Sequence, residues 1–145
     1  MHLLLLLAAT LRCPVLDTAT VAGAIGELEL AVLHAENGSN YSCVFTRSDY
    51  QLKVAVTALP GASDFARFAA AACQAARDTT PVKAIGNEAL ACSVGTGSHL
   101  EEKLVSRVRN QAFTLSLTTS DKAATPKTLR STNLMLAEQV AGNLF

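Results

Sequence analysis

The sequence predicts an α+β domain: an antiparallel sheet with helices packed on it, in the chain order α-βββ-α-ββββ-α, stapled by two disulfides. Three observations carry that expectation. Several short runs alternate apolar and polar residues at period two, which is strand patterning. Three other segments combine a helix cap with apolar residues three and four apart. Four cysteines, at positions 13, 43, 73 and 92, fall two in each half of the chain.

The first helix is expected over Asp17 to Gly26. Asp17 or Thr18 caps its start, Val21 and Ile25 face the core, and Gly26 is a left-handed stop. Three strands follow. Glu27 to Glu36 alternates partly and ends at Asn37-Gly38, a strong hairpin turn signal. Tyr41 to Thr46 places Tyr41, Cys43 and Phe45 on one face. Tyr50 to Ala58 points Leu52, Val54 and Val56 one way and Lys53, Ala55 and Thr57 the other, after a turn at Arg47-Ser48-Asp49.

Pro60-Gly61 breaks the sheet. Ser63 then caps a second helix, whose apolar stripe is Phe65, Phe68, Ala69, Ala72, Cys73 and Ala76 and which ends at Arg77-Asp78-Thr79-Thr80-Pro81. Strands are expected at Val82 to Ile85 and Ala89 to Val94 about a Gly86-Asn87-Glu88 turn. A second pair, Lys103 to Arg109 and Ala112 to Thr119, brackets Asn110-Gln111. Phe113, Leu115 and Leu117 alternate with Thr114, Ser116 and Thr118, so one face of that strand meets water. Thr125-Pro126 opens the final helix with proline at its tolerated first position, and Leu129, Leu136, Val140 and Leu144 line its buried side.

At 145 residues, half of them hydrophobic, the chain builds one domain with a real core. Twelve basic residues balance twelve acidic ones and tryptophan is absent. That composition argues against a nucleic-acid partner and against an aromatic stacking platform. Leu3 to Ala9 forms an apolar run too short to span a bilayer and suited to a signal peptide. Residues 1–12 are therefore expected to be a signal peptide, and 13–145 a single extracytoplasmic domain, secreted or periplasmic. The n-region lacks lysine and arginine, which is atypical. Arg12 stands where lipoprotein acylation wants a small residue, which argues against a lipid anchor at Cys13.

An even cysteine count behind an apolar leader suggests disulfides. Chain order favours Cys13 with Cys43 and Cys73 with Cys92, so that each pair ties a helix, or the residues just ahead of it, to a strand. Loops of roughly 20 to 30 residues closed this way stabilise by about 3–4 kcal/mol each. No Cys-x-x-Cys occurs and the histidines are scattered, so no metal site is expected.

Catalytic signatures are sparse. His99 lies in a loop beside Glu101 and Glu102 and is the one candidate base, although Glu101-Glu102-Lys103 also reads as the solvated start of a strand. Lys103, Arg107 and Arg109 recur at period two and form a basic stripe that faces a partner or keeps a sheet edge soluble. Gly95-Thr96-Gly97-Ser98 lacks the Gly-Lys-Ser/Thr of a phosphate loop, and no Gly-x-Ser-x-Gly elbow is present. Asn37-Gly38-Ser39 and Asn40-Tyr41-Ser42 fit the N-glycosylation pattern.

Cys13-Pro14-Val15-Leu16-Asp17 leads into Val21-Ala22-Gly23-Ala24-Ile25-Gly26. Tyr41-Ser42-Cys43-Val44-Phe45 and Val82-Lys83-Ala84-Ile85-Gly86-Asn87-Glu88-Ala89 follow. Together these segments resemble the small secreted domains of unknown function found in actinobacterial and acidobacterial lipoproteins. That class is similar in layout to the PsbP-like α/β sandwich and to the extracytoplasmic sensor domains of bacterial receptor kinases. The resemblance implies a bacterial envelope location and a binding or sensing role, and it transfers no catalytic residue. The expectation is thus a non-enzymatic, sensor-like module that binds an unknown small molecule or envelope protein and needs no cofactor. The alternatives are a small hydrolase built on His99, Glu101 and Glu102, and a purely structural or inhibitory module.

Overall fold

A computed structural model describes residues 12–35, 40–76, 78–95 and 98–145. All but the last residue of the expected leader, the Asn37-Gly38 turn and Thr96-Gly97 lie outside them. Helix α1 spans Thr18–Ile25, and strands β1 (Leu30–Ala35), β2 (Tyr41–Arg47) and β3 (Tyr50–Ala58) follow. A 3-10 turn at Ala62–Asp64 leads into α2 (Phe65–Ala72). Strands β4 (Asp78–Val82), β5 (Glu88–Val94), β6 (Leu100–Val108) and β7 (Gln111–Thr119) come next, and α3 (Pro126–Leu144) closes the chain. The seven strands form one antiparallel sheet in the order β1-β2-β3-β7-β6-β5-β4. This is the α+β layout and chain order expected from the sequence.

Register separates the two faces of the sheet. Leu33, Cys43, Val54, Leu115, Leu104, Ala91 and Thr80 form one row across all seven strands. The row beside it on the opposite face reads Val32, Val44, Lys53, Ser116, Lys103, Cys92 and Thr79. The first face is covered by α1 and α3, and Val21, Ile25, Leu129, Leu136 and Val140 pack there on Phe45, Leu52, Val54, Leu104, Phe113, Leu115 and Leu117. Among the described residues the second is covered only where α2 lies. A smaller core of Leu59, Phe65, Ala69, Cys73, Cys92, Val105 and Ala112 sits beneath that helix.

The caps act as their residue types dictate. The Asp17 carboxylate accepts from the Thr20 amide at 2.6 Å, and these bonds to α1 hold its pKa below the usual aspartate value. Thr125 and Thr128 form a reciprocal capping box at the start of α3, with Pro126 in its first turn. Ser63 makes no cap bond, because the 3-10 turn places it ahead of the helix rather than at its N-cap.

Four expected elements move. Strand β1 begins at Leu30 rather than Glu27, and α2 ends at Ala72, so Cys73 and Ala76 of its expected stripe lie beyond the helix. The strand placed at Val82 to Ile85 is instead Asp78–Val82, because Ala84 and Gly86 adopt positive φ of 67° and 62° and cannot continue a strand. Pro81 sits inside β4 without harm because β4 is an edge, where a missing N–H is tolerated. Strand β6 starts at Leu100 rather than Lys103 and ends before Arg109, which turns the chain at φ 57°. The other edge, β1, contains neither proline nor a Lys, Arg, Asp or Glu side chain.

At Gly86 the positive φ coincides with crowding: a Cβ there would lie 2.5 Å from the Arg107 carbonyl oxygen and press on the Ser106 hydroxyl. Gly86→Ala is therefore expected to destabilise by about 1–3 kcal/mol, read as a lower urea midpoint at unchanged slope. An unchanged midpoint would show that the turn relaxes freely.

Candidate functional site

Helix α2 stands as a short ridge on the half-open face. Phe65 and Ala69 point down into the smaller core, and Cys73, the C-cap residue, is bonded to Cys92 of β5 with Cα atoms 6.0 Å apart. The other disulfide joins Cys13, just ahead of α1, to Cys43 of β2 on the opposite face. Both pairings are those that chain order favours. The α2 segment is alanine-rich, so it leaves space on either side. A cleft of about 490 Å³ lies toward β4 and β5, between Ala66, Ala70, Leu90, Thr79 and Glu88. A second, of about 440 Å³, lies toward β3 and β7. Phe68, Ala71 and Ala72 form its wall, Ala55, Thr57 and Thr114 its floor, and Tyr41 lies at one end. Burial pushes the Tyr41 phenol pKa up, and its ring packs on the covered face with Cys43 and Phe45, so Tyr41 borders this cleft only from the strand end.

This second cleft opens onto the uncovered part of the sheet, where Thr114, Ser116 and Thr118 alternate outward. Its chemistry is an apolar wall over a floor with hydroxyls. Such a surface holds a small apolar body and orients it by a few hydrogen bonds.

Lys103 lies at the foot of this cleft. Its Nζ donates to the Ala72 carbonyl at 3.1 Å, which caps the C-terminal end of α2, and pairs with Glu101 at 3.4 Å. Arg107 shares the face of Lys103 and pairs with Glu88 at 2.7 Å. Arg109 leaves the row: it sits in the β6–β7 turn, with its guanidinium 5.9 Å from the Phe145 ring. The basic stripe is thus two residues long in the strand, and both charges are answered within the chain.

His99, Glu101 and Glu102 are not brought together. Glu101 and Glu102 are adjacent in β6 and so point to opposite faces. Glu101 takes Lys103 on the half-open face. Glu102 is not at a solvated strand start: it is 2% exposed under α3. There it accepts from the Ser93 hydroxyl and from Arg130 Nε at 3.2 Å. His99 is exposed and lines a shallow hollow with Asp49 and Thr118 at the end of the sheet. Among the described residues no group of three metal-ligating side chains occurs.

Sequence reasoning missed the polar cluster around Glu102. Arg130 also donates to Ser93 Oγ at 3.0 Å, and Asn133 donates to the carbonyls of Glu102 and Leu115, each at 3.1 Å. Arg130 lies 28 residues from Glu102, so no local motif announces the pair.

No protein-family model and no curated protein sequence matches the chain. Among solved structures it is similar to the extracellular domain of PknH from Mycobacterium tuberculosis. The match has a TM-score of 0.57 and 9% identity, and it covers 90% of this chain and 92% of that one. At that identity the likeness is one of fold.

Proposed function

We propose that this chain is an extracytoplasmic, non-enzymatic binding module that takes a small apolar ligand in the cleft between α2 and the β3–β7 face. The cleft itself carries the reading: at about 440 Å³ it falls in the range of about 300–1,000 Å³ typical of small-ligand sites. Its walls are alanine and phenylalanine and its floor supplies hydroxyls. The location is supported by two disulfides, which persist in oxidising compartments, and by the fold likeness to an extracellular domain. Among the described residues no helix is long and apolar enough to cross a membrane. The Cys13 sulfur is bonded to Cys43, which leaves it no valence for a thioether lipid and supports the reading without an anchor.

Titration of the oxidised chain with the fluorescent probe N-phenyl-1-naphthylamine tests the site. Ala71 is exposed on the cleft wall, so Ala71→Glu leaves the core alone and puts a carboxylate into the apolar space. The wild type is expected to bind the probe and the variant to bind it on the order of tenfold more weakly. Equal binding by both, or none by the wild type, would sink the assignment.

A further inference from the structure

The covered face holds a different concavity. Between α1, the β2–β3 end and the start of α3 lies a pocket of about 350 Å³, lined by Arg47, Tyr50, Asp121, Thr128 and Thr132 among apolar walls that include Ile25 and Leu117. Arg47 is its distinctive member. Four cations of the described residues are partly buried: Arg47, Lys103, Arg107 and Arg130. Lys103, Arg107 and Arg130 each have an acidic partner within 4 Å. Arg47 has none among the described residues. A partly desolvated guanidinium without a carboxylate is costly to keep unless something else completes it.

Its orientation is fixed nonetheless. Nη1 donates to the Ile25 carbonyl at 2.7 Å, closing the C-terminus of α1, and Cζ stands 5.9 Å from the Tyr50 ring. Gly26 backs onto the guanidinium so closely that a Cβ there would lie 2.8 Å from Cζ. The hydrogen bond uses Nη1, while Gly26 packs against Cζ, Nη1 and Nε alike. The Nε–Nη2 edge, which grips a carboxylate through two parallel N–H bonds, has no partner among the described residues.

The rest of the lining narrows the ligand. Asp121 accepts from the Tyr50 hydroxyl at 3.1 Å and from the Ala123 amide at 3.0 Å, and a carboxylate keeps acceptor capacity beyond two bonds. Burial, and then the bond to Asp121, push the Tyr50 phenol pKa up, so it remains a donor. With one cation and one anion on its wall, the pocket opposes a phosphate dianion at Asp121 and a simple amine at Arg47. A molecule carrying both charges satisfies both.

We infer that this pocket binds a free α-amino acid with an apolar side chain, its carboxylate on the open edge of Arg47 and its ammonium toward Asp121. The site lies across the sheet from the α2 cleft, so the two readings stand or fall separately.

Amide-resolved NMR titration of the oxidised chain decides the matter, with L-leucine, L-leucinamide, 4-methylpentanoate and inorganic phosphate as probes. Leucine is expected to shift the Gly26, Arg47, Thr128 and Thr132 amides. Leucinamide and 4-methylpentanoate, which each lack one charge, are expected to bind on the order of tenfold more weakly. Arg47→Lys keeps the charge without the fork and is expected to weaken leucine by a similar factor. If that variant unfolds, Thr132→Phe fills the pocket from its helical wall and is expected to abolish the shifts in an otherwise native spectrum. Absence of leucine shifts at these amides, equal binding of leucine and either single-charge probe, or a preference for phosphate would each overturn the inference.

Discussion

Reduction of both disulfides is expected to unfold this protein or bring it to the margin of stability. The two closed loops span sequence separations of 30 and 19 residues and do not overlap. Chain-entropy reasoning gives about 3–4 kcal/mol for each, and separate loops add. The combined loss, about 7 kcal/mol, is comparable to the total of about 5–15 kcal/mol that holds a typical domain.

The two bonds are expected to fail differently. Replacing Cys73 and Cys92 by alanine frees the ridge helix, whose own core is small. Hydrogen exchange should then accelerate over Phe65–Ala72 while β3 and β7 stay protected. Replacing Cys13 and Cys43 instead loosens the segment ahead of α1, and exchange should rise over Thr18–Ile25. Urea titration with and without reductant measures the totals. A change below about 1 kcal/mol on full reduction would show that the reduced chain folds equally well without its staples.

Truncating Arg130 should cost about half as much at a single position. Arg130→Met removes the cation beside Glu102 and leaves a carboxylate, 2% exposed, with Ser93 as its one remaining side-chain partner among the described residues. Breaking a buried pair from one side typically costs about 3–5 kcal/mol because the surviving charge is stranded, and the 26% exposure of the Arg130 side chain puts this pair at the lower end. The companion Glu102→Leu in the same chain should return part of that loss, since it removes the stranded charge but leaves the Ser93 hydroxyl without the two side-chain partners it had. A double-mutant cycle by urea denaturation reads the coupling directly. Additive losses would mean that the two residues act independently.

Much of the architecture was legible because most of the sheet obeys alternation. Leu52, Val54 and Val56 in β3, and Phe113, Leu115 and Leu117 in β7, announce both their strands and their buried face. Asp17 and Thr125-Pro126 mark helix starts with residues chosen for that place. What stayed hidden depends on distant partners. Pro81 reads as a breaker until the chain is known to place it on an edge. Glu102 reads as solvated among charged neighbours, because the arginine that permits its burial belongs to a helix far along the chain. Arg47 reads as a turn residue, and only the fold shows that it closes α1 and, among the described residues, pairs with no acid. The α2 cleft had no signature either: a space bounded by small residues is visible only once the walls exist.

The two margins of the sheet set how this molecule can associate by strand pairing. At β4 the proline and Asp78 oppose an added strand, whereas β1 presents Leu30, Val32 and Leu33 without a charge. Growth of a cross-molecule sheet needs two competent margins on every copy. With one, pairing ends after a single neighbour, and a lengthened sheet closes as a twofold pair instead of propagating into a fibre.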